Sequence, residues 1–183
     1  MKYIKYLPSV DDISEIEYFI KGLSPDDLIL IGEYGQLNPF SIYYEIKSCF
    51  NGEIFIEINA RDKNKDLIVS YICTAFSLGF KGLVISSGKF EKKEGMAKPV
   101  YDLDPSQILM VAVSLKEKKF GDDFIIGIRS ASGTGAVYER AKFFIENGAD
   151  FLVFDNNNVI EDFKNRTVII QEISKYNETI IAK

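Results

Sequence analysis

Histidine is absent from the 183-residue chain, and that absence excludes much chemistry. Without an imidazole there is no Ser–His or Cys–His nucleophilic dyad. The commonest general base and the usual zinc ligand are missing with it. Cysteine is scarce as well: Cys49 and Cys73 sit in apolar periodic segments with no metal-ligand spacing. They read as two buried free thiols in a reducing compartment. No apolar run approaches the roughly 18 residues that a membrane span requires. Charge and Pro8 interrupt the apolar residues at the start of the chain, so no signal-peptide pattern is expected there. A cytoplasmic location is the expectation. Positive charge is also in short supply: the formal net charge is −5, and phosphate-backbone binding needs a concentrated positive field. Nucleic acid is therefore excluded as a partner. The basic run from Lys116 to Lys119 contains Glu117 and reads as a solvated helix end.

What is present is an ordinary globular composition, 46% hydrophobic and 27% charged with only 5 prolines, at a length that suits one domain over residues 1–183. Short apolar runs of strand length alternate with stretches of helical period. Strands are expected at Tyr3–Leu7, Leu28–Ile31, Ile54–Ile58, Gly82–Ser86, Phe124–Ile128, Phe151–Phe154 and Thr179–Ala182. Helices are expected at Val10–Gly22, Phe40–Phe50, Asp66–Leu78, from Asp104-Pro105 onward, Ala136–Asn147 and Val159–Ser174. Asp104 followed by Pro105 is a helix start signal, and Gly79 a left-handed cap. Strands that are almost continuously apolar imply a parallel sheet covered by helices. The fold class read from this order is an α/β, TIM-type (β/α) barrel, incomplete, with about seven parallel strands.

Such a barrel carries its chemistry at the carboxyl ends of its strands. After the third strand comes Asn59-Ala60-Arg61-Asp62-Lys63-Asn64, where an Arg61–Asp62 pair would fix a guanidinium for a carboxylate or phosphate. The plainer alternative is that Asp62 or Asn64 caps the next helix. After the fourth strand, Gly88 allows close approach of a flat ligand and Lys89 would meet an anion. After the fifth, Arg129 leads into Ser130–Gly135, whose amides at a helix start can face phosphate. After the sixth comes Asp155-Asn156-Asn157-Asn158. No metal site is expected.

Taken in order, these strand-end segments resemble the flavin-dependent methylenetetrahydrofolate reductase family, many members of which carry Thr-Cys-Arg-Asp-Arg-Asn after the third strand. Gly82–Gly88 and Lys98–Leu109 look like that family's fourth strand and the lead into its next helix. The resemblance implies a TIM barrel with FAD at the carboxyl face and a folate or pterin substrate. It places Asn59, Arg61, Asp62, Asn64, Gly88, Lys89 and Arg129 around the cofactor, and Lys5 and Asp155 at the reacting centre. The departures are specific. Lys5 stands where the family has its catalytic Glu, and Lys89 replaces an acidic residue near the flavin. Asp155 replaces a substrate-contacting Gln, Gly32 a Thr, and Glu57 a His.

Two functions follow as expectations. One is a reductase-like protein of one-carbon metabolism whose flavin-dependent activity is altered or lost at Lys5. The other is a non-catalytic module that binds an anionic small molecule or a partner chain. A seventh strand with no eighth would leave sheet edges exposed at Tyr3–Leu7 and Thr179–Ala182, so a second copy or a partner chain is expected to cover the open edge.

Overall fold

The computed structural model describes residues 2–7, 10–33, 37–88, 100–129, 136–154 and 161–172. Seven strands run parallel: β1 (Lys2–Leu7), β2 (Leu28–Ile31), β3 (Ile54–Asn59), β4 (Gly82–Ser86), β5 (Ile125–Arg129), β6 (Phe151–Phe154) and β7 (Thr167–Glu172). They pair in sequence order, and β7 pairs back onto β1, with Ile4 opposite Ile170, so the sheet closes into a barrel. This is a TIM-type α/β barrel with seven strands. Among the described residues five α-helices connect them: α1 (Ile13–Lys21), α2 (Pro39–Lys47), α3 (Lys65–Leu78), α4 (Pro105–Leu115) and α5 (Ala136–Glu146). A π-helical turn, Lys116–Phe120, extends α4, and a 3₁₀ helix, Glu161–Arg166, precedes β7.

Local signals account for the helix ends. Asp104 accepts from the Ser106 and Gln107 amides while the Gln107 side chain accepts from the Asp104 amide, a reciprocal cap. Asn64 caps α3 by accepting from the Leu67 amide at 2.9 Å, and Gly79 closes it at φ 87°. Among the described residues no helix is long and apolar enough to cross a membrane.

Three expectations are corrected here. The helix over Val159–Ser174 is instead the 3₁₀ helix followed by β7. The run Thr167-Val168-Ile169-Ile170 is β-branched throughout, which favours an extended chain packed on both faces over a helix. The exposed edge at Tyr3–Leu7 does not exist, because β7 occupies it; the ground for a covering partner chain there goes with it. Thr179–Ala182 lies outside the described residues. The thiols are free, but Cys49 is exposed and Cys73 half-buried.

Strand alternation divides the core in two. Ile4, Tyr6, Leu30, Phe55, Val84, Phe151, Val153, Val168 and Ile170 fill the barrel interior. Leu7, Ile29, Ile31, Ile56, Ile58, Leu83, Ile85, Ile126, Ile128 and Leu152 pack outward against the helices. Gly82 is required where β4 and β5 approach: a Cβ there would lie 1.9 Å from the Ile125 carbonyl oxygen.

Candidate functional site

The interior parity continues toward the carboxyl ends of the strands, and there it becomes polar. Tyr6, Glu57 and Arg129 all stand on the inward-facing positions of β1, β3 and β5. The Tyr6 hydroxyl donates to Glu57 Oε2 at 2.5 Å, and Arg129 Nη1 donates to Glu57 Oε1 at 3.1 Å and to the Tyr6 oxygen at 3.3 Å. The guanidinium also lies 5.0 Å from the centre of the Tyr6 ring, within cation–π range. Burial, followed by the Glu57 charge, pushes the Tyr6 phenol far above its ordinary value. It therefore remains a protonated donor. A carboxylate inside a barrel needs such partners, since an unpaired buried charge is strongly disfavoured.

A second group sits at the ends of β2, β3 and β4. Glu33 Oε2 lies 2.9 Å from Lys63 Nζ and accepts from the Asn59 amide at 2.9 Å. Lys63 also donates to Asn59 Oδ1 at 3.1 Å and lies 5.8 Å from the Tyr71 ring centre. The Glu33 side chain is only 6% exposed. Its second oxygen, Oε1, has no hydrogen-bond partner among the described residues, and neither does the buried Ser86 Oγ. Burial pushes the Glu33 carboxyl above its ordinary value, and the Glu57 charge adds to that rise; Lys63 and the Asn59 amide oppose it. Glu33, Arg61, Lys63 and Tyr71 line a hollow of about 350 Å³.

The loop after β3 is held from outside. Asp62 adopts a left-handed backbone, φ 58°, which Asp tolerates better than most residues. Its amide donates to the Val100 carbonyl at 2.7 Å, and its Oδ1 accepts from the Val100 amide at 3.0 Å. The Lys65 amide donates to Asp102 at 2.8 Å. Arg61 Nε approaches Asp62 Oδ2 at 2.9 Å as an ion pair rather than an aligned hydrogen bond.

The residues expected from the sequence fall into three groups. Asn59, Arg61 and Asp62 are brought to the barrel mouth, and Arg129 to the interior just below it. Asn64 lies at the base of the same loop, where its side-chain oxygen caps α3. Gly88 follows β4 with φ 83°. Lys5 has the opposite parity to Tyr6: its strand partner is Ile29, which faces the helices. The structure therefore does not bring Lys5 to the interior. Lys89, Ser130–Gly135 and Asp155–Asn158 lie outside the described residues. Sequence reasoning did not select Tyr6, Glu33, Glu57, Lys63 or Ser86 as site residues. For Glu57 the signal was available, since a lone carboxylate in the run Ile54-Phe55-Ile56-Glu57-Ile58 demands partners from neighbouring strands. Among the described residues no group of three or more His, Cys, Asp or Glu is placed to hold a metal ion.

No family model matches the sequence, and no curated protein matches it. Solved structures do. A trigonal crystal form of 2,3-dimethylmalate lyase, a PEP mutase/isocitrate lyase superfamily member, superposes with a TM-score of 0.65 at 14% identity, covering 99% of this chain and 77% of that one. The triclinic form of the same protein gives 0.63 at 14% identity, covering 99% and 78%. These neighbours overturn the resemblance to the methylenetetrahydrofolate reductase family, and with it the reading as a folate oxidoreductase that carries FAD. The non-catalytic alternative gains no support from them either. At this identity the likeness establishes the barrel fold, shared with a lyase superfamily.

Proposed function

We propose that the barrel mouth is an active site in which Glu33 exchanges a proton with a small hydroxy acid, as a carbon–carbon lyase of the general kind named for the structural neighbours. The observation that carries this reading is Glu33 Oε1, a buried carboxylate oxygen without a hydrogen-bond partner among the described residues. It belongs to a carboxyl raised by burial and lies beside cationic side chains. A buried carboxylate with a raised pKa, beside a hollow that its residue lines, is suited to general acid–base work.

The chain's own groups divide the work. Arg61 and Lys63 supply positive charge for a substrate carboxylate, and Asp62, tied to Val100 on the outside of the loop, pairs with Arg61. Glu33 takes the hydroxyl proton of a 2-hydroxy acid as the C2–C3 bond breaks. The hydroxyl carbon becomes a 2-oxo acid, and the electron pair passes to C3 as an enolate of the second carboxylate, which is then protonated. Arg129 is anchored below the mouth by Glu57 and Tyr6, so the floor of the site is a balanced ion pair rather than a lone charge.

The test is to supply malate, 2-methylmalate and 2,3-dimethylmalate and follow release of a 2-oxo acid as its hydrazone. Glu33→Gln is expected to lower kcat by about 10²–10⁴-fold, the usual contribution of a positioned acid or base, with the fold retained by circular dichroism. If the wild-type protein releases no 2-oxo acid from any of the three, or Glu33→Gln turns over at the wild-type rate, this function is wrong.

A further inference from the structure

We propose that Tyr71 is a second catalytic residue of the barrel mouth, the acid that delivers a proton to the enolate carbon, a role that rests on the reading of the mouth as a carbon–carbon lyase. That reaction moves a proton from the substrate hydroxyl to C3, so it needs one transfer at oxygen and another at carbon. Glu33 has a single oxygen for the first, because Oε2 is held by Lys63 and by the Asn59 amide. The second transfer needs an acid with a proton to spare.

The titratable side chains of the hollow, Glu33, Arg61, Asp62, Lys63 and Tyr71, leave one candidate. A guanidinium does not give up its proton. Asp62 acts as an acceptor, paired with Arg61 and taking the Val100 amide. The ammonium hydrogens of Lys63 have three oxygens to meet: Glu33 Oε2 at 2.9 Å, Asn59 Oδ1 at 3.1 Å and the Arg61 carbonyl at 3.5 Å. Tyr71 is placed differently. Its hydrogen-bond neighbour Asn38 spends its side-chain oxygen on the Phe40 amide at 2.9 Å, as the cap of α2. The Asn38 amide nitrogen is therefore left to donate to the phenol oxygen, and the contact favours the phenolate, as a donor does. It occupies a lone pair and leaves the O–H for substrate. Burial, then the Glu33 charge, raises the phenol above its ordinary value, so at rest Tyr71 is a neutral acid. The ring is braced by Phe40, 5.1 Å away between centres, and Lys63 Nζ lies 5.8 Å from its centre. There the ammonium charge favours the phenolate as it forms.

The cycle balances. The Tyr71 O–H bond breaks, its proton bonds to C3 through the enolate electron pair, and the oxygen keeps the O–H pair. The proton that Glu33 took from the hydroxyl then passes to the phenolate, and both groups regain their starting states without a co-reactant.

Turnover of 2,3-dimethylmalate in deuterium oxide tests the assignment. Cleavage gives pyruvate and a propionate deuterated at C2, whose configuration is read by proton NMR of a chiral ester. The wild type is expected to place deuterium on one face. Tyr71→Phe keeps the ring packing and should lower kcat by about 10²–10⁴-fold, with KM within about twofold. Its residual propionate should be of mixed configuration, because water then supplies the deuteron. Glu33→Gln, slow at the oxygen transfer, should still give a single configuration. The assignment is overturned if Tyr71→Phe turns over at the wild-type rate, if its product keeps one configuration, or if Glu33→Gln is the variant that loses it. A wild type that releases no 2-oxo acid overturns the lyase reading itself and this role with it, whereas an active wild type with an unaffected Tyr71→Phe overturns this role alone.

Discussion

Replacing Arg129 with Leu withdraws the only cation within 4 Å of Glu57 among the described residues; the Glu57 side chain is 1% exposed. In the variant the carboxylate retains the Tyr6 hydroxyl and nothing else that the described contacts supply. Breaking a buried pair from one side typically costs about 3–5 kcal/mol, because the remaining charge is left in a poorly solvated place. The Arg129 side chain is 11% exposed and lies toward the mouth, so water can partly replace it and the lower figure applies. For a chain of this size about 3 kcal/mol corresponds to a fall of roughly 6–12 °C in Tm. The decisive measurement is the double variant Glu57→Leu/Arg129→Leu, which removes both charges and fills the barrel interior with apolar volume. It is expected to lie within about 1–2 kcal/mol of the wild type by urea unfolding, since a buried ion pair and an apolar substitute of similar volume are often of near-equal stability. Coupling between the two sites is the signature. If the double variant loses the sum of the two single losses, Glu57 and Arg129 do not compensate each other and the account of the barrel interior fails.

Three further outcomes follow. Burial raises the Glu33 carboxyl above its ordinary value, so the folded state holds this proton after the unfolded state has released it. Its contribution is complete below the unfolded value and is lost as pH rises through the higher folded value. Urea midpoints measured across that window should therefore slope downward with pH in the wild type and more weakly in Glu33→Gln; equal slopes would contradict the assignment. Asp104→Ala removes the reciprocal cap of α4 and should cost about 1 kcal/mol, or a Tm fall of roughly 2–4 °C, by calorimetry. Gly82→Ala should destabilise more than Gly127→Ala, because the new Cβ meets the Ile125 backbone in the first case and the Phe151 ring, at 2.3 Å, in the second. Ring atoms can yield where a strand backbone cannot, and chemical denaturation of the two variants ranks them.

The barrel was legible because its punctuation is local. Asp104-Pro105 and Gly79 mark helix ends through contacts made within a few residues, and the apolar runs of β2, β4 and β6 are too short for helices. The last strand was misread because Ile160, Phe163, Thr167 and Ile170 recur at helical spacing, and only the closing partner β1 decides between the two. The site was less legible for a geometric reason. Lys5 and Tyr6 are neighbours in sequence, yet the pleat sends Tyr6 inward and sets Lys5 on the helix side, and a register error of one residue exchanges them. Arg61 and Asp62 were visible because their partners are adjacent. Glu33 was not selected, since its importance lies in Lys63 and the Asn59 amide, contributed by another strand and its loop.

The pairing of β1 with β7 has a consequence for synthesis. Lys2 aligns with Val168, so the ring cannot be completed until the roughly 165 residues between them have been made. At about 5–20 residues per second, the outer edge of β1 waits roughly ten to thirty seconds for its partner, with its ladder groups open to any other extended segment. Closure is also a long-range contact of the kind that slows folding. Nascent chains halted before Thr167 would therefore carry an open, pairing-competent sheet, and the final strand acts as the latch that ends that exposure.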